Sequence, residues 1–552
     1  MASILYRNGV IHSPADPFAE ALLVDDGVIA WIGAEDTADG FAARADRVVD
    51  LDGALVAPGF VDSHVHLLAT GQVLDGLDLS VEAGITSATS AFAAVANRVR
   101  DMRRHEEVGG LLAGWGYDPS GWPDGARLVR SGLDAAADGA PVVVVRVDQH
   151  SSLVTSAVAA ALELEGLDGW SDQSPLVGAA HDRVMAALRD SADARHTELT
   201  DLALRRAASQ GIVAVHEMSL PHNDTRRGLA DLLARTAAPA SGLPLVVGYR
   251  GELCETADDA RELAAQIPGL TGVGGDLPVD GSLGSWTAAL SAPYADLPDP
   301  NDPLRTGRLD ITAEQVCNHV LAATRAGLQG GLHVIGNRAM AEVVVGLQAA
   351  ADLEGLGAIR GAAHRLEHAE MIDASTLAAI VLMGVRLSVQ PTFDARWGGP
   401  GGMYEKRLGA LRAEDMNPLA DLAAAGVPLA MGSDSPVTPL APWDAVAAAL
   451  FLHAKDQRIS ARAAFRAHTR GGWRLAGLDH TGAGEIRIGA PAHLAVWRSD
   501  HLGVQGPERP ISAWSTDARS GTPLLPALGP DEPAPQCLQT VRDGVVIHDL
   551  MD

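Results

Sequence analysis

Two histidines two residues apart, His64 and His66, end the stretch Ala57-Pro58-Gly59-Phe60-Val61-Asp62-Ser63-His64-Val65-His66. On a strand, positions i and i+2 share a face, so both imidazoles can point at one ion. Neutral imidazole is a ligand for zinc and other transition metals. An isolated pair of this kind also reads as two structural histidines, but the Pro-Gly turn and the apolar run before it favour the metal. Three further polar groups end apolar runs in the same way. His333 closes Gly330-Gly331-Leu332, His368 closes His364-Arg365-Leu366-Glu367, and Asp434 follows Pro428-Leu429-Ala430-Met431-Gly432-Ser433. His333 and His368 are 35 residues apart and His368 and Asp434 are 66 apart. With roughly 35 residues per βα unit, these gaps are one and two steps around a barrel, whose strand C-termini converge on one mouth.

Such a barrel needs alternating strands and helices to hold those side chains. From about Pro58 to Leu478 the chain supplies them. Short apolar runs (Pro141–Val147, Ile212–Val215, Leu243–Val247, Gly331–Val334, Val385–Val389, Val427–Met431) alternate with helical stretches such as Leu202–Ser209, Ala313–Ala326, Ala339–Leu353 and Trp443–Ala454. This alternation predicts a parallel sheet or barrel. The middle exceeds the roughly 250 residues typical of an eight-stranded barrel, so it carries insertions, and 72–156 is the expected one. The two ends read as β-rich: Ser3–Ile11, Leu22–Ile32 around Asp25-Asp26-Gly27, Glu485–Ile488, His493–Trp497, and Thr540–Ile547 around Asp543-Gly544. The fold class expected is α/β, a (β/α)8 TIM-like barrel over residues 58–478. Residues 1–57 and 479–552 join as a small composite β-sandwich.

Composition narrows the function. The 552 residues carry a net charge of −28, which argues against nucleic-acid and anionic-membrane partners, since phosphate binding needs clustered Lys and Arg. No apolar run reaches the roughly 18–20 residues that span a bilayer. The start lacks a basic segment followed by a long apolar one, so no signal peptide is read. Cys254, Cys317 and Cys537 are odd in number and form no CxxC pair, which fits free thiols in a reducing compartment. A cytoplasmic protein is expected. The lysines are Lys406 and Lys455, and positive charge otherwise comes from arginine.

The set of residues resembles the amidohydrolase superfamily of metal-dependent hydrolases, in the branch of the N-substituted formamide deformylases (amidohydrolase family 3). The resemblance covers nearly the whole chain. It is carried by Pro58–His66, Gly114–Trp122, Asp148-Gln149-His150-Ser151, Gly211–His216, Asp280-Gly281-Ser282-Leu283-Gly284-Ser285, His333–Ala339, Arg365–His368, Gln390-Pro391 and Gly432-Ser433-Asp434-Ser435-Pro436-Val437. It implies that His64, His66, His333, His368 and Asp434 bind a divalent metal, zinc first, as one or two ions. It also implies that Asp434 takes the proton of the attacking water. A bound metal lowers that water's pKa towards about 7. The family's habit implies a homodimer.

Relatives carry a lysine four residues before the Asp-Gly-Ser stretch, which becomes carboxylated and bridges two metals. Here that position is Asp276, in Gly275-Asp276-Leu277-Pro278, and neither lysine is near. A carboxylated-lysine bridge is therefore excluded. Asp276 bridges with its shorter carboxylate, or the site holds one metal, or the chemistry is altered, or Asp276 is a solvated loop residue.

Trp115, Tyr117 and Trp122 fall in the insertion, which in the family lines the mouth of the barrel. They read either as an aromatic lid for an apolar substituent or as packing that seats the insertion. His150 reads as a group that polarises the substrate carbonyl, or as a fold histidine. Arg365 and Gln390 are further pocket candidates. The expected function is hydrolysis of a non-peptide C–N bond in an N-substituted formamide or similar small amide, by attack of a metal-bound hydroxide. A metal-dependent decarboxylase or isomerase on the same scaffold, and a catalytically altered binding protein, are the alternatives.

Overall fold

The computed structural model describes residues 3–105, 110–123, 128–506 and 522–551. Part of the C-terminal segment expected in the β-sandwich, residues 507–521, therefore lies outside the described residues. Eight parallel strands form one sheet: β1 (Phe60–Val65), β2 (Ile212–Ser219), β3 (Leu245–Arg250), β4 (Gly272–Val273), β5 (Gln329–Val334), β6 (Arg365–His368), β7 (Arg386–Val389) and β8 (Leu429–Met431). They lie in chain order around the sheet. The ring closes just past β8, where Val65 pairs in parallel with Ser435 and the Asp434 N–H donates to the His64 carbonyl at 2.8 Å. The chain is thus the (β/α)8 barrel its alternation predicts.

Every residue of β1, β2, β5 and β6 is buried, because the outer helices cover one face and the barrel interior the other. Val215, Val246, Val273, Leu332, Leu366, Leu387 and Met431 join helix residues such as Leu204, Leu232, Val320, Leu347 and Phe465 in one core. At roughly 1.5–3 kcal/mol per fully buried aliphatic side chain, this core dominates the fold's stability. Local signals set the helix ends. Helix Ala313–Ala326 starts at a capping box between Thr312 and Gln315 and stops at Gly327, whose φ of +73° suits glycine.

Strands from the two ends of the chain meet in one sheet, ordered Val10–Ile11, Leu55–Pro58, Leu494–Arg498, Gln536–Arg542, Val545–Asp549. A second sheet of Val28–Gly33, Ala21–Asp25, Ile4–Arg7 and Arg47–Asp50 faces it across a shared core containing Tyr6, Leu22, Val496 and Leu538. Glu485–Ile488, expected as a strand, is irregular: Gly482, Gly484 and Gly489 all take positive φ around it, and Ile486 alone of that stretch is fully buried.

Pro141–Val147 is not a barrel strand. Val142–Arg146 belongs to a separate four-stranded sheet with Leu77–Asp78, Leu112–Tyr117 and Ser152–Val154. This sheet, with helices Ala88–Arg104 and Gly178–Ala192, occupies the chain between helix Leu67–Asp75 and helix His196–Ala208. A fully buried strand reads the same in any α/β sheet, so the apolar run could not reveal which sheet it joins.

Candidate metal centre

His64 and His66 leave β1 towards the barrel mouth, His333 lies on β5, His368 ends β6, and Asp434 follows β8. His368 and Asp434 both take positive φ, +66° and +55°, values that non-glycine residues rarely adopt. The chain folds back at these two points, and both side chains stay at the mouth. Asp276 arrives on the segment after β4. The two glycines before it have φ of +87° and +66°, and a Cβ on Gly274 would stand 2.0 Å from the Gly331 carbonyl oxygen. Only a side-chain-free residue lets that segment lie against β5 and deliver Asp276 inward.

The side chains converge. Asp434 Oδ1 lies 3.3 Å from both His64 Nε2 and His66 Nε2. Asp276 Oδ1 lies 3.1 Å from His333 Nδ1, 3.4 Å from His368 Nε2 and 3.6 Å from His64 Nε2, while its Oδ2 is 3.4 Å from His66 Nε2. Two ligands of one tetrahedral ion, each about 2.1 Å from it, stand roughly 3.4 Å apart, so these spacings suit shared coordination. His64 Nε2 and Asp434 Oδ1 are buried without a hydrogen-bond partner. Two orphaned atoms aimed at one point are what a cation would satisfy. Among the described residues, the groups that could hold an ion are His64, His66 and Asp434, and His64, Asp276 and His368.

The far sides of the rings are held too. His64 Nδ1 donates to Glu367 Oε2 at 2.8 Å, His66 Nδ1 to the Met218 carbonyl at 2.8 Å, and His368 Nδ1 to Gln390 Oε1 at 2.9 Å. Each such bond leaves an Nε2 lone pair free for a metal. Burial opposes charge on His66 and His333, yet the neighbouring carboxylates push these imidazoles up to about 10 and about 9. Burial likewise opposes ionisation of Asp276 and Asp434, but the histidines hold both carboxyls below the usual range. The cluster thus favours positive charge at its centre, and an ion would displace protons there.

Two aspartates brace the loops. Asp148 Oδ2 accepts from Ser282 Oγ at 2.6 Å and Ser285 Oγ at 2.8 Å, and pairs with Arg146 at 2.6 Å. Asp280 accepts from the backbone N–H groups of Ala289, Ile335 and Gly336. The Asp-Gly-Ser-Leu-Gly-Ser stretch thereby ties the loop of His150 to the end of β5.

A cavity of about 520 Å³ opens over the cluster, lined by His66, Asp276, His333, His368 and Asp434 together with His150. The architecture, the ligand set and the loop motif coincide with one match: the model of the Amidohydrolase family covers residues 47–548. The chain belongs to the amidohydrolase family. It is 27% identical to the putative amidohydrolase YtcJ of Bacillus subtilis, over 77% of this chain and 78% of that protein. It is 24% identical to the N-substituted formamide deformylase of Arthrobacter pascens, over 87% of this chain and 90% of that one. In fold it matches an uncharacterized metal-dependent hydrolase from Pyrococcus furiosus, with a TM-score of 0.65, 24% identity, and coverage of 90% and 98% of the two chains. Among the described residues of this amidohydrolase, no helix is long and apolar enough to cross a membrane.

The structure brings Asp276 into the ligand cluster, buried, rather than leaving it as a solvated loop carboxylate. His150 lines the cavity with its ring centroid 5.2 Å from that of His333, and burial, reinforced by His333, lowers its pKa to about 3, so the ring is neutral. The other pocket candidates lie elsewhere. Trp115, Tyr117 and Trp122 are buried in the cores of the inserted sheet and its helices, so they pack that unit instead of facing the large cavity. Arg365 sits inside the barrel, clamped to Glu367 at 2.5 and 2.8 Å, and stacked 4.4 Å over Tyr249. Gln390 stands behind His368.

His181 and His222, which the sequence analysis does not single out, also line the cavity. His222 follows the end of β2 by three residues, as Asp434 follows the end of β8. His181 lies on helix Gly178–Ala192 of the inserted unit, where no barrel register could point to it. It faces the Gln149 carbonyl at 2.7 Å and Ser152 Oγ at 3.0 Å, bracing the His150 loop.

Proposed function

We propose that this amidohydrolase cleaves the C–N bond of a small non-peptide amide, an N-substituted formamide or close analogue, with a divalent metal, zinc first. The observation that carries the reading is the Asp276 carboxylate, whose two oxygens together face all four histidines: His333, His368 and His64 from Oδ1, and His66 from Oδ2. His64, His66 and Asp434 would hold one ion, His333 and His368 a second, and Asp276 would stand between them in place of the family's lysine. A divalent ion there supplies Lewis acidity, which makes water a nucleophile near neutral pH and draws charge from the amide carbonyl.

The protein's own groups carry the rest. Asp434 Oδ1, poised beside His64 and His66, accepts a proton from the attacking water and returns it to the departing nitrogen. His150, neutral and at the cavity wall, orients the carbonyl oxygen. Gln390 and Glu367 hold His368 and His64 in the rotamer and tautomer that face the centre. The 24% identity to a deformylase along most of both chains supports the formamide class.

Elemental mass spectrometry on tag-free protein purified without chelator, alongside turnover of N-formylbenzylamine and a panel of other amides, tests this. Two metals per chain with amide turnover is the expected result. One metal with turnover would remove the bridging role from Asp276. No metal after incubation with zinc, and no turnover of any amide, would overturn the reading.

A further inference from the structure

A second, small chamber of about 30 Å³ adjoins the candidate centre and shares His150, His333, His368 and Asp434 with the large cavity. Its other walls are largely apolar: Leu283, Ile335, Phe393, Trp397, Met403 and Val437. Glu370 lies among them, buried, and its Oε2 has no hydrogen-bond partner. Tyr404, also in the wall, hydrogen-bonds the same carboxyl group. Arg146 and Asp148, at the same chamber, are paired with each other. A buried carboxylate oxygen without a donor carries a desolvation cost that the native fold normally avoids. Among the described residues no hydrogen-bond donor meets it, which leaves that place to a water or to a donor on a ligand.

We propose that this chamber is the acyl-group subsite, and that it takes a short arm ending in a hydrogen-bond-donating cation, as in an aminoacetyl (glycyl) amide, with Glu370 Oε2 receiving the ammonium. The proposal rests on the amidohydrolase reading above and names its substrate class more closely. Size sets the orientation. A water-sized group needs about 10–15 Å³ of such space, so the chamber holds two or three heavy atoms. The remaining 520 Å³ cavity takes the larger amine portion and lets it leave. Chemistry sets the terminus: six apolar side chains accept a methylene, and the unpaired carboxyl oxygen among them accepts from a donor, a cationic donor favouring the ionised form that burial, which pushes this carboxyl up to about 7, otherwise opposes.

Two measurements on the metal-loaded full-length protein test it. The first is binding of glycinamide and of acetamide by calorimetry, to wild type and to Glu370→Gln. Glycinamide is expected to bind wild type at least about tenfold more tightly than acetamide, and the glutamine variant should lose that margin. The second is kcat/KM for the N-glycyl, N-acetyl and N-formyl derivatives of benzylamine, with the glycyl-to-acetyl ratio expected to fall towards one in Glu370→Gln, chiefly through KM. If the two amides bind wild type equally, or the variant keeps the margin, the subsite proposal is overturned even where formyl and acetyl substrates are hydrolysed. If no derivative is turned over while glycinamide binding depends on Glu370, the subsite stands and the hydrolytic reading fails. The wild-type comparison alone decides the matter if the variant does not fold.

Discussion

Asp276 and His333, 57 residues apart in the chain, meet at 3.1 Å between Oδ1 and Nδ1, on neighbouring strand ends of one barrel. The relationship places a carboxylate where the family resemblance of the sequence implies a lysine. An aspartate is four methylene-scale atoms shorter than a carboxylated lysine, so the chain itself must come closer. The glycines at 274 and 275 allow that approach.

If Asp276 joins two metal positions, Asp276→Ala should drop metal content from two equivalents to one or fewer, and kcat/KM by at least about 100-fold. Elemental analysis of variant and wild type purified in parallel is the check. Unchanged stoichiometry would show that Asp276 joins nothing.

Gln390 lines neither the large cavity nor the small chamber beside it, but holds His368 Nδ1 at 2.9 Å. Gln390→Leu should weaken metal retention by about 10–100-fold, as loss of such a support does, while leaving global stability within about 1–2 kcal/mol. Competition with a chelator, read by metal release, measures the first, and urea unfolding of the metal-free protein the second. Equal retention would mean the ring needs no such support.

The Arg365–Glu367 pair lies fully buried inside the barrel, with Arg365 also donating to the Ser63 carbonyl at 2.8 Å. Arg365→Met strands a carboxylate there and should destabilise by about 3–5 kcal/mol. The double variant Arg365→Met, Glu367→Leu should recover part of that loss in urea unfolding, while weakening metal retention because His64 loses its support. A single variant as stable as wild type would contradict this account.

His319, His364 and His468 are buried, and desolvation lowers each to about 4. His364 shows why neutrality matters: Nδ1 accepts from the Gly330 N–H at 2.9 Å, so its ring proton sits on Nε2 and faces Thr324 Oγ1 at 2.9 Å. A histidine whose folded pKa lies below its unfolded value binds more protons when unfolded. Stability therefore falls as pH drops from about 6.5 towards 4, by up to about 3 kcal/mol for one such group. Calorimetric Tm should decline over that window, and His364→Gln should flatten the decline by about one proton's worth. A Tm that is level between pH 6.5 and 4.5 would refute the assignment.

The alternation of apolar runs and helical stretches placed five of the eight barrel strands, β2, β3, β5, β7 and β8, because parallel strands buried on both faces are largely apolar, and the histidines that close β1 and β6 marked two more. β4, only Gly272–Val273, left no such run and went unseen. The 35- and 66-residue gaps put His333, His368 and Asp434 in register with the HxH pair, since equal βα units turn spacing in the chain into position around a ring. Absence of lysine near the centre was also a matter of sequence alone. What only the tertiary structure decided is where side chains without such a register point. Asp276 could have been a solvated loop residue until the approach to β5 was seen, and Trp115, Tyr117 and Trp122 could have lined the mouth until the inserted sheet claimed them as core. Glu370 and His181 carry no spacing signal, since their positions follow from a left-handed turn after β6 and from packing of the inserted helix. Periodicity records which face of an element is buried. It holds no record of which neighbour buries it.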